Sequence, residues 1–181
     1  MTAWAADPTV EVVSDVEAEL VYAAERRVVL KPYQSFTEFD SCKALVDAIT
    51  ESPYWCARGG DAALTAPVHC FRQRANAASR GGHYNAGWAI RLNRQHWNVQ
   101  IICHELAHVM SFWRHDLPKG HTRPFRTEYL SLLRYVAPDL AAQLVKEFDA
   151  DGLGVDHDPT GWDAAPFDFA ITERIAGAIA L

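Results

Sequence analysis

His104-Glu105-Leu106-Ala107-His108 reads H-E-x-x-H, and the rest of the chain can be organised around it. On a helix, residues four apart lie on one face, one turn above the other. Two imidazoles so placed can converge on one metal ion, with Glu105 left beside it as a general base. So short a pattern also arises by chance, so its surroundings must decide. Asn98 is a helix N-cap residue type, and Ile101, Ile102, Leu106, Ala107, Val109 and Met110 follow it. The predicted helix is apolar outside the histidine face, which suits a core and not a surface. Two histidines and a glutamate on a buried helix are costly unless paired or metal-bound. The reading is therefore a single Zn2+ site and a hydrolase.

Catalytic zinc usually takes three protein ligands and a water. The longer pattern H-E-x-x-H-x-x-G-x-x-H fails here, because Ser111 and Arg114 stand at its glycine and third-histidine positions. His115 lies about 10 Å beyond His108 along a continuing helix, at 1.5 Å per residue. Two candidates remain open. His121 follows Asp116-Leu117-Pro118-Lys119-Gly120, where Pro and Gly can turn the chain back, and it precedes a helix start at Thr122-Arg123-Pro124. Glu128 lies twenty residues after His108, a separation at which a second helix supplies a glutamate in thermolysin-like enzymes.

The run His104–His108, then Gly120-His121, Phe125 and Tyr129, resembles the SprT-like zinc metalloproteins. It is more similar still to a group of actinobacterial and actinophage metallohydrolases of about this length, a likeness that extends to Val21-Tyr22-Ala23-Ala24-Glu25. The resemblance covers about residues 21 to 148, and it implies His121 as the third ligand. The chain departs from the SprT pattern in having His121-Thr122 where His-Gly is usual.

The 181 residues fit one domain with enough apolar side chains for a single core. Residues 1–14 read as a loose leader, 15–150 as the catalytic domain, and 151–181 as an extension ending in a helix over 167–181. The first residues lack a basic region and a long apolar run, so a secretory signal is not expected, and no apolar stretch reaches 18 residues. Cys42, Cys56, Cys70 and Cys103 have no C-x-x-C spacing and read as free thiols of a cytoplasmic protein. Between Arg58 and Arg126 ten Lys or Arg face three acids, a net +7 within a chain of net −6. Such a stretch attracts acidic or nucleic-acid-bound substrates only if its charges share a face.

Helices are predicted over 16–30 and 37–52, the second stopped by Ser52-Pro53, and again after Thr122 and over 139–148. Val68–Arg74, His83–Asn85 and Gly87–Leu92 alternate and read as strands. The expected fold class is α+β and zincin-like, with a small antiparallel sheet beside the H-E-x-x-H helix and an edge strand able to hold an extended peptide. His83, Tyr84 and Trp88 either line that cleft or cover the sheet. The expected function is a zinc metallopeptidase acting on a peptide or protein, with Tyr129, Tyr84, His115 and Arg123 as candidate oxyanion or substrate groups. The alternatives are a DNA-associated protease of SprT type and a non-catalytic metal-binding accessory protein.

Overall fold

A computed structural model describes residues 15, 17–74, 80–84 (backbone only), 87–116 and 120–156. The leader 1–14, the helix expected over 167–181 and the side chains of His83 and Tyr84 fall outside the described residues. Six α-helices and a three-stranded sheet follow in the order α1 (Ala18–Arg27), α2 (Phe39–Thr50), α3 (Pro53–Thr65), β1 (Val68–Arg72), β2 (Arg80–Tyr84), β3 (Gly87–Leu92), α4 (Val99–His115), α5 (Arg123–Val136) and α6 (Pro138–Ala150). The fold is mixed α and β, as the hydrophobic periodicities imply.

α4 is the central element. It carries the H-E-x-x-H segment and packs on α5, α3, α2, β2 and β3. Asn98 caps it, its side chain accepting from the backbone N–H of Ile101 at 2.9 Å. Ile102, Leu106, Ala107 and Val109 are fully buried, each larger apolar side chain contributing about 1.5–3 kcal/mol by leaving water. Asp116, at φ 53°, ends the helix in the left-handed region. α6 lies between α5 and α1, and Leu140, Leu144 and Phe148 face inward from it. Residues 151–156 stay on this body, with Leu153 only 4% exposed.

One expectation is extended and two are corrected. Ser52-Pro53 ends α2, as expected, but helical structure resumes at once. Ser52 accepts from the N–H of Trp55 and Pro53 occupies the first turn, so the pair that closes α2 also opens α3. Proline is tolerated there because the first turn has no intrahelical partner for its missing N–H. α3 is kinked at Gly60, φ 57°. At Gly59 a Cβ would stand 3.0 Å from the Trp113 ring and 2.7 Å from Ala63, so this glycine permits the close approach of α3 to α4. Second, the sheet is not antiparallel throughout. Its order is β1-β3-β2, with β2 and β3 an antiparallel pair and β1 parallel to β3. Third, α2 begins after Glu38, not at residue 37.

The core face of the sheet carries Cys70, Trp88, Ile90 and Leu92. Trp88 is 5% exposed and its ring lies 5.0 Å from that of Phe112 on α4. It therefore covers the sheet and lines no cleft. Cys42, Cys70 and Cys103 are buried and free. Burial pushes the thiols of Cys42 and Cys70 up to about 12, which leaves them inert at neutral pH. Among the described residues no helix is long and apolar enough to cross a membrane.

Candidate metal centre

α4 presents His104 and His108 one turn apart, and the turn before α5, where Gly120 takes φ 105°, brings His121 to them. The Nε2 atoms of His104 and His108 lie 3.2 Å apart, and those of His104 and His121 lie 3.1 Å apart. The ligand atoms of all three residues fall within 4.8 Å of one another. Every pair of ring centroids is separated by 5.0 Å. Nitrogens held at about 2.0–2.1 Å from a tetrahedral ion stand roughly 3.3 Å apart, so the two closest separations match the edge of such a site. These three residues are close enough to hold one metal ion.

Two of the rings are oriented from behind. Nδ1 of His104 is 2.7 Å from Oε1 of Glu25 on α1, and that carboxylate also accepts from the Tyr129 hydroxyl at 2.8 Å. The same hydroxyl lies 3.3 Å from the carbonyl of Gln100. Nδ1 of His121 meets Asp15 Oδ2, and the same oxygen accepts from the His121 backbone N–H at 3.0 Å. With Nδ1 engaged, Nε2 is the atom left to face a metal, and the carboxylate raises its basicity. His108 has a different support. Phe125, fully buried on α5, stacks on it at 4.3 Å and also lies within 5.1 Å of His104 and 4.9 Å of His121. It closes one side of the centre with an apolar wall.

The loop that carries His121 is held by Arg126, which is 2% exposed. Its guanidinium donates to the carbonyls of His121 (2.7 Å) and Gly154 (2.8 Å) and pairs with Glu17. The third histidine thus depends on segments from both ends of the domain.

Burial, and then the neighbouring charge of His104 and His121, holds His108 well below the usual histidine range. Burial lowers His121 too, followed by the charge of His104. Both are neutral at pH 7, the form that binds metal. Burial also works against charge on His104, but Glu25 outweighs it and raises His104. Burial acts to raise Glu25, and His104 and Tyr129 more than reverse it, leaving that carboxyl below its ordinary value. Glu105, 6% exposed, follows His104 on α4, and its negative charge reaches both His104 and Tyr22.

The other sequence candidates lie elsewhere. Glu128 is 1% exposed and committed to a separate ionic cluster. Arg58 Nε lies 2.6 Å from its Oε2, while His115 Nε2 and Arg114 Nη1 lie 3.0 Å and 3.4 Å from its Oε1. It therefore has no oxygen to spare for the histidines, and His115 faces it. Tyr129 is fully buried behind Glu25. Arg123 pairs with Asp156 at 2.7 Å. Two members of the basic stretch, Arg58 and Arg126, are buried in internal ion pairs.

Residues that sequence reading did not single out are Asp15, as partner of His121, and Tyr22 and Glu25 as neighbours of the centre. Tyr22 lies with its ring 4.8 Å from His121 and 5.8 Å from His104. Burial, then the charges of Glu25 and Glu105, push its hydroxyl up to about 12. Tyr22 and Glu25 sit in the run 21–25 that carries part of the family resemblance, but nothing local marks their roles.

Compared with protein-family models, with curated proteins and with solved structures, the chain matches none.

Proposed function

We propose that this protein is a zinc-dependent hydrolase, most simply a peptidase, with His104, His108 and His121 as ligands and Glu105 as general base. The observation that carries this reading is the convergence of three Nε2 atoms on one point, with a buried glutamate adjacent in the same helix. A purely structural site needs no such base. Zinc supplies Lewis acidity that brings the pKa of a bound water toward neutrality. Glu105 takes a proton from water as it adds to an amide carbonyl, then passes that proton to the leaving amine. Glu25 and Asp15 fix the rings of His104 and His121, and Phe125 keeps bulk water from one side. Peptides fit a site whose neighbouring sheet ends in β2, which pairs with β3 on one edge only among the described residues. A cytoplasmic location accords with four free thiols. The alternative of DNA-directed proteolysis loses support because part of the basic stretch is spent inside the fold.

The test is metal analysis with a quenched-fluorescent peptide library. Wild-type protein is expected to hold one zinc and cleave the library. Glu105→Gln should keep the zinc and lose at least about a hundredfold in rate, the lower range of general-base effects. Undiminished cleavage by that variant would remove the base assignment. Absence of bound zinc in the wild type would remove the reading altogether.

A further inference from the structure

A carbonyl under attack needs a donor for the negative charge that builds on its oxygen. The sequence offered Tyr129, His115, Arg123 and Tyr84 for that task. The first three are engaged with Glu25, Glu128 and Asp156 respectively, and the side chain of Tyr84 lies outside the described residues. We propose, resting on the hydrolase reading above, that Tyr22 is the oxyanion donor, its O–H directed at the substrate carbonyl at the rim of the three-histidine centre.

Three observations converge on it. Phe125 touches all three histidine rings and is fully buried, so it forms the closed side of the centre. Tyr22 touches only two of them, His104 and His121, and remains 37% exposed. It therefore stands on the side open to solvent, where a substrate must enter. Among the described residues its hydroxyl has no hydrogen-bond partner, in contrast to the Tyr129 hydroxyl, which is held by Glu25 and Gln100. Glu105 is buried and follows His104 on α4, and the ring of Tyr22 lies against that of His104.

α1 fixes the placement. Val21, Ala24 and Glu25 face inward from it, and Glu25 is anchored on His104. Tyr22 follows Val21 and lies three residues before Glu25, which puts its ring beside the ring that Glu25 orients. In the step itself, water adds to the carbonyl carbon as Glu105 takes its proton, and the carbonyl π pair moves onto oxygen. Tyr22 hydrogen-bonds that oxygen without giving up its own proton. The pair returns as the C–N bond breaks, and the amine leaves with the proton from Glu105.

Tyr22→Phe removes only the hydroxyl from a partly exposed ring, so the fold and the ring contacts remain. The zinc-loaded variant should keep one zinc per chain and lose about a hundredfold in kcat on the quenched-fluorescent library, with KM within about threefold. A second arm uses inorganic phosphate, a tetrahedral anion, as probe. Its binding to the zinc-loaded protein, followed by calorimetry, should weaken at least about tenfold in Tyr22→Phe. Equal phosphate affinity in the two proteins, including no binding to either, overturns the proposal, as does an unchanged kcat. Loss of zinc from the variant also overturns it, because Tyr22 would then be supporting the ligands. If the wild type holds zinc but cleaves no peptide, the peptidase reading fails on its own, and the phosphate arm still decides the role of Tyr22.

Discussion

α4 contributes to two buried clusters with nearly the same ingredients and opposite logic. One gathers His104, His108 and His121, with Glu25 and Asp15 behind two of the rings. The other gathers Arg58, Arg114 and His115 around the single carboxylate of Glu128. In the first, the carboxylates lie outside and the nitrogens inside, so lone pairs converge and call for a cation. In the second, the carboxylate lies inside and two guanidiniums and an imidazole surround it, so its charge is already compensated. Histidine and glutamate content does not tell these apart. What does is which atoms remain unspent at the centre.

Exchanging the roles of His121 and Glu128 is the sharpest way to break this comparison, and it carries the largest effects. His121→Ala should lose most bound zinc, measured by metal analysis after dialysis, while its zinc-free melting temperature stays near that of wild type. Glu128→Ala should retain zinc but lose about 3–5 kcal/mol of stability in denaturant titration, because the buried guanidinium of Arg58 loses this counter-charge. The reverse pattern would move the third ligand to Glu128.

A smaller effect tests the carboxylates behind the rings. Glu25→Gln should weaken zinc binding about 10–100-fold, the usual range for such supporting partners. Asp15→Asn should cost less, since Asp15 is more exposed than Glu25. Equal affinities in Glu25→Gln and wild type would show that ring orientation comes from packing alone.

The smallest effect concerns protons. His104 is raised above the ordinary histidine value by Glu25, so in the zinc-free protein it is the ring of the three that holds a proton to the highest pH. His108 and His121 are lowered and carry none. Zinc binding must displace that proton wherever it is held, so up to about one proton should be released per ion, and less as pH rises. Affinity should rise with pH until His104 is neutral, and fall steeply in acid as the other two rings charge. Calorimetry in buffers of different ionisation enthalpy reads the count. Glu25→Gln should lower it, because His104 then loses what holds its proton.

Local signals reach some of this and miss the rest for physical reasons. The spacing of His104 and His108 and the Asn98 cap are properties of one helix, so the chain displays them directly. His121 and Glu128 both stand at reasonable positions after the helix, and only packing separates them, through Arg58 arriving from 70 residues away. Glu25 and Asp15 are 79 and 106 residues from the rings they orient, a relation with no local pattern. Alternation marks β1 and β3 as strands but is silent on direction, which the path between them decides. Ser52-Pro53 displays only half of its role, because the same dipeptide suits a stop and a start.

The guanidinium of Arg126 knots residue 17, the carbonyl of residue 121 and the carbonyl of residue 154 together. The three-histidine cluster is consequently complete only while the two extremities of the described body are docked on it. An excised peptide bearing the H-E-x-x-H segment would carry two of the three rings, and grafting that segment onto a foreign scaffold would leave behind the third ring and the groups that hold it.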